Sequence, residues 1–500
     1  MPFPVSTSAE VRALDAHTIQ NIGVASLALM ELAGRAVASE ILVRFEPAAS
    51  KGILILAGRG NNGGDGYVMA RMLHARGFRV WVVGLEGDCS PDCEVNRQAA
   101  LRVGVCVQND LPELSWIRAE IGLVVDALLG TGLKSDLRSP LSTWVDAVNT
   151  LELPVVAVDL PTGLCGDTGR VHGTAIQADI TVCIGRAKLG CFLEPGADFA
   201  GEVVLANIGL LGNVDPSAEI VCGGWVAEHL PKRSKSSHKN SHGHLGVIAG
   251  SLERAGAAVL TCNAALAAGC GLVTLIIHPD AVPRLGQLGP EIMVLPSEDL
   301  AHADLTELSA LAVGPGVGTD DASRASLLAL WKSAEKPAVF DADGLTALEG
   351  HFEQSLFSRC ITPHPGEASR LLGRTSGDVQ SDRLGVVRAL AKIAPTLLKG
   401  RNTLISNGGA APVRINPTGT SALATAGTGD VLTGMVGAFL AQGIAPFEAL
   451  TMAAFLHGYA AERVARSHFA AGELNLVLGE AMANVADRDP VLSARSLVSA

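Results

Sequence analysis

Short apolar runs alternate with helix-like segments along the first half of the chain. The runs lie at residues 53–56, 80–83, 123–125, 155–158 and 180–184. Runs that are apolar throughout are typical of strands covered on both faces, so this pattern predicts a mainly parallel, doubly wound α/β sheet. Before these runs, a capping box at residues 7–10 and apolar positions at helical spacing predict two helices that precede any strand.

A similar alternation fills the second half. Strand-like runs lie at residues 245–249, 311–313, 337–340 and 396–398, which predicts a second α/β domain. The charge-free stretch 255–277 is long enough to span a bilayer. Glycines interrupt it, and its spacing changes from helical to a β-branched run, so we predict a buried helix followed by a buried strand.

A domain boundary is predicted between the two alternating patterns. Hydrophobic patterning fades after residue 212, and residues 231–240 form a short basic, polar segment. These features predict domains at residues 1–212 and 241–500, with a boundary region at 213–240. The cations of this segment fit a solvated linker or surface loop; steering of a phosphorylated substrate is the alternative.

Charge and composition exclude several classes of partner. The 500 residues are 48% hydrophobic and contain no low-complexity tract, as expected for two or three globular domains. A net charge of -12 argues against nucleic acid or an anionic membrane as a general partner. The chain start lacks a positive region followed by an apolar run, so no signal peptide is expected. The ten scattered cysteines indicate reduced core thiols in a cytoplasmic protein.

Polar, glycine-rich loops follow three of the predicted strands in the first half. They lie at residues 61–66, 126–132 and 159–163. Ligands of open α/β sheets bind outside the carboxyl ends of the strands, so we expect these loops to form one site. The first loop taken alone could be only a turn. Residues 58–63 fit G-x-G-x-x-G, but no acidic residue closes the next strand, so the dinucleotide fingerprint is not met.

Oxygen-bearing side chains in these loops suggest a metal. Asn62, Asp126 and Thr162 together offer several oxygens but only one full negative charge. Such a set suits a weakly bound monovalent cation better than a transition metal, which would favour His or Cys.

The three loops together resemble the YjeF N-terminal domain, the NAD(P)HX epimerase, over about residues 5–210. This resemblance implies a Rossmann-like fold, potassium bound by Asn62, Asp126 and Thr162, and Asp159 as the group that contacts the substrate and moves the proton. Lys188 would be a second candidate base or acid; a solvated surface lysine is the alternative. The residues implied to hold the hydrated nucleotide are Asn61, Asn62, Gly63, Gly64, Asp65, Gly130, Thr131, Gly132 and Asp159.

The chemistry of the second half centres on residues 427–430, Gly-Thr-Gly-Asp, which an apolar helical pattern follows. Backbone N–H groups of such a loop and the helix N-terminus attract an anion. A carboxylate repels a bound phosphate, so Asp430 fits better as a base that takes a proton from an attacking hydroxyl. An N-cap role for Asp430 is the alternative.

Further polar or glycine-rich segments follow strands at residues 314–318, 341–343, 362–367 and 399–403. Lys399 can reach a phosphate, and the glycine after it allows close approach of the backbone. His364 stands between two prolines on a rigid turn, where a purely structural role is the alternative.

With the loop at residues 424–434, these segments resemble the YjeF C-terminal domain, the ADP- or ATP-dependent (S)-NAD(P)H-hydrate dehydratase, over about residues 225–490. The resemblance implies a ribokinase-like α/β fold and Mg²⁺ bound with ADP. The family usually has Met and a second Gly near residues 421–427, and we expect the change here to affect packing only. The residues implied to contact the hydrate are Ala257, Gly316, His364 and Asp430. Those implied to hold the nucleotide are Lys399, Gly400, Arg401, Asn402, Thr403 and Gly429.

Both resemblances together imply a homo-oligomeric enzyme of nicotinamide nucleotide repair, at once an isomerase and a lyase. It would interconvert the R and S forms of hydrated NADH and NADPH, and dehydrate the S form at the expense of ADP, giving AMP and phosphate. One alternative is a ribokinase-like kinase for a small alcohol with a non-catalytic N-terminal nucleotide-binding module. Another is that the glycine loops are mere turns in a protein without catalytic activity.

Overall fold

A computed structural model describes residues 2–286, 288–464 and 466–485. The chain forms two compact units. One consists mainly of Pro4–Ala218 and is called the N-terminal unit; the other consists mainly of Glu219–Pro490 and is called the C-terminal unit. Both are α/β, as the apolar runs predicted, and most strand pairs in both are parallel.

The N-terminal unit carries its helices between successive strands. In chain order its elements are β1 (Phe3–Ser6), α1 (Ser8–Ala16), a π-helix (His17–Ile22), α2 (Ser26–Arg44), α3 (Glu46–Lys51), β2 (Ile53–Ala57), α4 (Asn61–Ala75), β3 (Val80–Gly84), α5 (Pro91–Arg102), β4 (Cys106–Gln108), α6 (Leu114–Glu120), β5 (Leu123–Ala127), α7 (Leu141–Asn149), β6 (Val155–Val158), β7 (Ile180–Ile184), β8 (Ala187–Lys188), a 3-10 helix (Leu189–Cys191), α8 (Gly196–Ala200) and β9 (Glu202–Ala206).

The sheet of this unit has a reversal point in its strand order. The order is β4-β3-β2-β5-β6-β7-β9, with parallel neighbours throughout. The chain winds outward from β2 in one direction and then from β5 in the other, as in a Rossmann-like sheet. Such sheets bind ligands at the reversal point, beyond the carboxyl ends of the two central strands. The loops after β2 and β5 therefore meet where a ligand is expected.

Some elements differ from the predictions. The expectation that no strand precedes the helices is wrong, because β1 comes first and pairs with β8 through Val5 and Ser6. β1 is four residues long and contains a proline, so it carries no clear strand pattern. The short strand β4, whose Cys106 is exposed, and the terminal strand β9 also escaped prediction. The capping box at α1 is confirmed, with Thr7 and Glu10 bonded reciprocally.

The C-terminal unit holds a larger sheet. In chain order its elements are β10 (Ala218–Ile220), α9 (Gly223–His229), a 3-10 helix (Lys239–His242), β11 (His244–Ile248), α10 (Ala255–Ala267), β12 (Leu272–Ile277), a 3-10 helix (Pro279–Arg284), β13 (Met293–Pro296), a 3-10 helix (Leu300–His302), β14 (Ala310–Val313), α11 (Asp321–Ser333), β15 (Ala338–Phe340), α12 (Asp343–Ala347), β16 (Arg359–Ile361), α13 (Pro365–Leu372), α14 (Ser376–Ser381), α15 (Arg383–Ala391), β17 (Thr396–Leu398), β18 (Leu404–Ser406), β19 (Val413–Ile415), a 3-10 helix (Ser421–Leu423), α16 (Thr428–Ala441), α17 (Pro446–Val464), a 3-10 helix (Ala471–Glu473) and α18 (Leu474–Ala483).

Strands β13-β12-β11-β14-β15-β16-β17-β18-β19 are neighbours in that order, parallel up to β17 and antiparallel beyond it. Helices α10, α16 and α17 contribute to the buried core that also includes residues of the sheet. The predicted helix and strand within 255–277 are confirmed as α10 and β12. None of the helices in the described part of the chain is long and apolar enough to cross a bilayer.

Close backbone packing at the start of α4 predicts a sensitive glycine. A Cβ atom on Gly63 would lie 1.9 Å from the carbonyl oxygen of Gly58. We therefore expect Gly63→Ala to destabilise the protein by about 1–3 kcal/mol, measured by chemical denaturation. Gly60→Ala is the matched control, because a Cβ there meets nothing within 4 Å. Equal stabilities of the two variants would contradict the predicted clash.

Candidate active sites

A cavity of about 400 Å³ opens at the reversal point of the N-terminal sheet. Predicted site residues that line it are Asn61, Asn62, Asp65, Gly130, Thr131, Gly132, Asp159 and Lys188. Gly63 and Gly64 are buried in α4, where the lack of a side chain allows neighbouring atoms to pack closely against the helix. A Cβ on Gly64 would collide with the side chain of Met30, 2.5 Å away. The tertiary structure thus brings the three predicted loops to one cavity.

Asp159 and Lys188 form a buried ion pair in this cavity. The Lys188 ammonium donates to Asp159 Oδ1 and to the Ile184 carbonyl, the latter at 2.7 Å. The Lys188 side chain is 1% exposed, so the alternative of a solvated surface lysine is wrong. Burial by itself would lower the pKa of Lys188, but the charge of Asp159 and its hydrogen bond hold that pKa above the ordinary value. The pair can therefore hold and move a proton between two fixed atoms.

The backbone at Asp159 supports a functional role for this residue. Its φ is 70°, in the left-handed region that non-glycine residues seldom adopt. The Ile184 N–H donates to Asp159 Oδ1 at 3.0 Å, which fixes the carboxylate. Strained residues that are held by their surroundings cluster at functional sites.

The predicted cation ligands Asp126 and Thr162 lie in direct contact. The backbone N–H and the hydroxyl of Thr162 each donate to the Asp126 carboxylate at 2.7 Å. Burial raises the pKa of Asp126 to about 6, and these hydrogen bonds oppose the rise. Within the described residues, Asn62 Nδ2 is buried without a hydrogen-bond partner. A half-turn of that amide would present its oxygen instead. Carboxylate, hydroxyl and amide oxygens are donor types that suit K⁺.

Three further carboxyl groups line the cavity, those of Asp15, Asp65 and Asp92, and Asp15 and Asp92 were not predicted as site residues. Burial, followed by the charge of Asp159, raises the pKa of Asp65 well above its usual range. Burial also raises the pKa of Asp15, while the charge of Lys188 opposes the rise. Asp15 lies on α1, far from the glycine loops along the chain, and no local motif marks it. The sequence therefore offered no signal for its place in the cavity.

A buried charge cluster marks the second site, in the C-terminal unit. Lys399 Nζ donates to Asp341 Oδ1 at 2.7 Å and lies 3.7 Å from Glu367 Oε2. The Thr433 hydroxyl of α16 donates to Asp341 Oδ2 at 2.7 Å. A Cβ on Gly429 would lie 3.6 Å from Lys399 Nζ. The glycine loop therefore lies beside the cluster.

Asp430 belongs to the first turn of α16 and does not cap it. The N-cap is Gly427, with φ 90°, so the N-cap alternative for Asp430 is wrong. Burial, followed by the charge of Asp341, raises the pKa of Asp430 to about 6, and Lys399 opposes the rise. A carboxylate with this pKa is ionised at neutral pH and is a stronger base than an ordinary aspartate.

His364 caps helix α13 and also lies beside Glu367 of the charge cluster. It is the N-cap of α13, where its Nδ1 accepts from the Gly366 N–H at 3.0 Å. Its Nε2 lies 3.4 Å from Glu367 Oε1. Burial lowers the pKa of His364, and the charges of Lys399 and Arg370 lower it further. A neutral ring with its proton on Nε2 is thus held beside Glu367.

The other predicted residues lie in two places. A Cβ on Gly316 would lie 3.0 Å from the Ala257 Cβ, so these two predicted hydrate contacts adjoin each other. The predicted nucleotide segment 399–403 forms the tight connection between β17 and β18. Gly400 and Asn402 there have positive φ values, and the Thr403 hydroxyl donates to the Gly400 carbonyl at 2.9 Å.

Several residues of this site were not predicted individually. Asp341 directly follows β15. Asp126 and Asp159 likewise lie at the ends of strands in the other unit, so its position at a strand end could have identified Asp341 from the sequence. The sequence alone indicates only that Glu367 belongs to the first turn of a helix. His457 lies in the interior of α17, where its buried ring contacts the Thr428 backbone and burial lowers its pKa to about 4. No local pattern marks it.

Two family models match this chain. A model described as NAD(P)H-hydrate dehydratase matches residues 245–483. A model described as YjeF-related protein N-terminus matches residues 26–190. Each match lies within one of the two compact units.

Relatives match nearly the whole chain. The bifunctional NAD(P)H-hydrate repair enzyme Nnr of Pyrobaculum aerophilum is 40% identical over 494 residues, 94% of this chain and 96% of that protein. The enzyme of the same name from Moorella thermoacetica is 37% identical over 491 residues, 92% of each chain. That from Escherichia coli is 33% identical over 476 residues, 93% of this chain and 90% of that one. A crystal structure of the ADP/ATP-dependent NAD(P)H-hydrate dehydratase of Bacillus subtilis, co-crystallised with ATP and Mg²⁺, aligns with a TM-score of 0.49 at 29% identity, over 53% of this chain and 97% of that one.

Proposed function

This chain belongs to the family of bifunctional NAD(P)H-hydrate repair enzymes, and we propose from this that its two units divide the repair between them. The protein interconverts the R and S forms of hydrated NADH and NADPH, and it dehydrates the S form with an adenosine nucleotide, which we expect to be ADP. The observation that carries the assignment of dehydration to the C-terminal unit is Asp430. Its pKa of about 6 suits a base, and it follows a glycine loop beside the Asp341–Lys399 pair.

Dehydration needs a better leaving group than hydroxide. In our proposal Asp430 takes the proton of the substrate hydroxyl, whose oxygen attacks the terminal phosphoryl group of ADP and releases AMP. Phosphate then leaves, assisted by the lone pair of the ring nitrogen, and the adjacent ring carbon releases a proton to solvent, which forms the ring double bond and restores NADH or NADPH. Backbone N–H groups at the start of α16 and Lys399 stabilise the charge that develops on the phosphoryl oxygens.

Mg²⁺ fits the residues of this site. It is commonly held by one or two carboxylates together with nucleotide phosphates, and it neutralises charge on those phosphates. We assign Asp341 as its protein carboxylate, because Asp341 Oδ2 lies 3.8 Å from a Cβ placed on Gly429. Among the described residues, no group of three or more His, Cys, Asp or Glu side chains could hold a metal ion by itself.

Epimerisation is assigned to the cavity of the N-terminal unit. Asp159 and Lys188 are the groups that exchange a proton with the hydrate, because they share one hydrogen bond and both line the cavity. Asn61, Asp65 and the loop 130–132 orient the nucleotide there. A K⁺ ion held by Asn62, Asp126 and Thr162 would supply a fixed positive charge next to the substrate.

One assay tests both activities. The reduced nicotinamide absorbs in the near ultraviolet and its hydrates do not, so recovery of that absorbance from a mixture of R and S hydrates reports repair. Recovery of the whole mixture with ADP or ATP, faster than the spontaneous R-to-S conversion allows, requires both units, whereas recovery of the S fraction alone requires only the dehydratase. Accumulation of a stable phosphorylated hydrate would instead favour the alternative of a kinase, which the two-domain match to repair enzymes does not support. Omission of potassium checks the cation site.

The pKa of Asp430 predicts the pH dependence of dehydration. Below a pKa of about 6 the carboxyl group is protonated and cannot accept the proton, so kcat/KM should fall as the pH falls through about 6. Glu367 titrates in a neighbouring pH range, since burial raises its pKa to about 7. Glu367→Gln is therefore the matched variant, and the limb near pH 6 should persist in it. A limb that vanishes in Glu367→Gln would assign the titration to Glu367.

A further inference from the structure

One exposed cation in the C-terminal unit has no part in the chemistry described above. Arg254 stands at the end of the loop after β11, as the N-cap residue of α10. A Cβ on Gly316 would lie 3.0 Å from the Cβ atoms of both Arg254 and Ala257. The three residues meet at the carboxyl ends of the neighbouring strands β11 and β14. Arg254 is therefore adjacent to Ala257 and Gly316, two of the four residues predicted to contact the hydrate.

Arg254 is anchored on one side and open on the other. Its Nη1 donates to Asp343 Oδ2 at 2.9 Å, and the Gly318 N–H donates to the same oxygen at 3.0 Å. The Asp343 side chain is 12% exposed, whereas that of Arg254 is 54% exposed. A guanidinium has five N–H donors, and within the described ranges that of Arg254 makes no hydrogen bond other than the one to Asp343. The anchor fixes the orientation of donors that remain available at the surface.

The charges around the site explain why such a cation is needed. Asp341, Asp343 and Asp430 place negative charge at the site, and the hydrated dinucleotide is itself an anion. Lys399 lies beside Asp341 and Glu367 and is assigned to the phosphoryl group that is transferred from ADP. A guanidinium matches phosphate oxygens with two parallel hydrogen bonds, and Arg is favoured where phosphate must be oriented.

We propose that Arg254 binds a phosphate group of the hydrated dinucleotide and so determines how tightly the dehydratase holds that substrate. This inference rests on the proposed function of the C-terminal unit. The phosphate is either part of the pyrophosphate that hydrated NADH and NADPH share, or the 2′-phosphate that only hydrated NADPH carries. Arg254 would be a specificity-determining residue, while the proton and phosphoryl transfers stay with Asp430 and the nucleotide loop.

The test is the kinetics of Arg254→Met in the full-length protein, with the S hydrates of NADH and NADPH assayed separately. We expect KM for the hydrate to rise about tenfold or more, on the scale of losing a hydrogen bond to a charged group. The value of kcat should change little, and KM for ADP should stay the same. Arg254→Lys should recover part of the loss. A rise for hydrated NADPH alone identifies the 2′-phosphate, and an equal rise for both substrates identifies the pyrophosphate.

Controls separate this inference from the function on which it rests. Arg324→Met removes an exposed arginine of α11, whose Nε bonds to the Thr319 carbonyl, and should leave every constant unchanged. Hydrate KM values within twofold of the unaltered protein in Arg254→Met, or a rise confined to the KM for ADP, would overturn the role of Arg254. Absence of dehydration in the unaltered protein would instead overturn the proposed function itself.

Discussion

Asp430→Asn is expected to bind ADP normally and to lose dehydration by about three orders of magnitude or more, the scale of losing an essential catalytic group. Asparagine is nearly isosteric with aspartate but cannot take the proton from the substrate hydroxyl. A thousandfold loss corresponds to about 4 kcal/mol of transition-state stabilisation. The measurement is recovery of reduced nicotinamide from the pure S hydrate, with ADP affinity determined separately by calorimetry.

The same chain provides the control for this variant. Epimerisation is assigned to the N-terminal unit, so the R-to-S conversion rate should be unchanged in Asp430→Asn. The second control is Glu367→Gln, which alters another carboxylate of the cluster but leaves the proposed base in place. Turnover of Asp430→Asn near that of the unaltered protein would contradict the assignment of Asp430 as the base.

Asp159→Asn is expected to lower the catalysed R-to-S conversion by about two orders of magnitude or more, the usual contribution of a positioned acid or base. Dehydration of the S hydrate should be unaffected. The variant also leaves the ammonium of Lys188 buried without its counter-ion, which destabilises a protein by about 3–5 kcal/mol. Loss of epimerisation alone would therefore not separate catalysis from folding.

The double variant Asp159→Asn with Lys188→Met makes that separation. Removing both members of a buried ion pair is often nearly neutral for stability, so the double variant should regain most of the stability lost by Asp159→Asn. It should regain none of the epimerisation. Thermal unfolding and the conversion rate are measured side by side. A stable double variant that still converts R to S above the spontaneous rate would show that the cavity is only a binding site.

Sequence patterns predicted the class of fold and the loops that carry the chemistry. The apolar runs at 123–125 and 155–158 each correspond to a buried strand, because a strand covered on both faces must be apolar throughout. The short strand β4 lacks that signal, since a strand at the edge of a sheet does not demand burial. The strand β1 lacks it because it is only four residues long and contains a proline. From the sequence alone, the alternative that Lys188 is a solvated surface lysine stayed open, because a lysine in a loop is usually solvated.

The sequence by itself determined which chemical groups the loops carry: Gly429 before Asp430, two asparagines after β2, and a lysine after β17. These are local properties, set by backbone freedom at glycine and by positions relative to strand ends. Only the tertiary structure decided which of these groups act together and in which protonation state. Asp341 lies 58 residues before Lys399 along the chain and 2.7 Å from it in space. The pKa of Asp430 depends on its burial and on that pair, because electrostatic energies follow distance and burial in the folded chain.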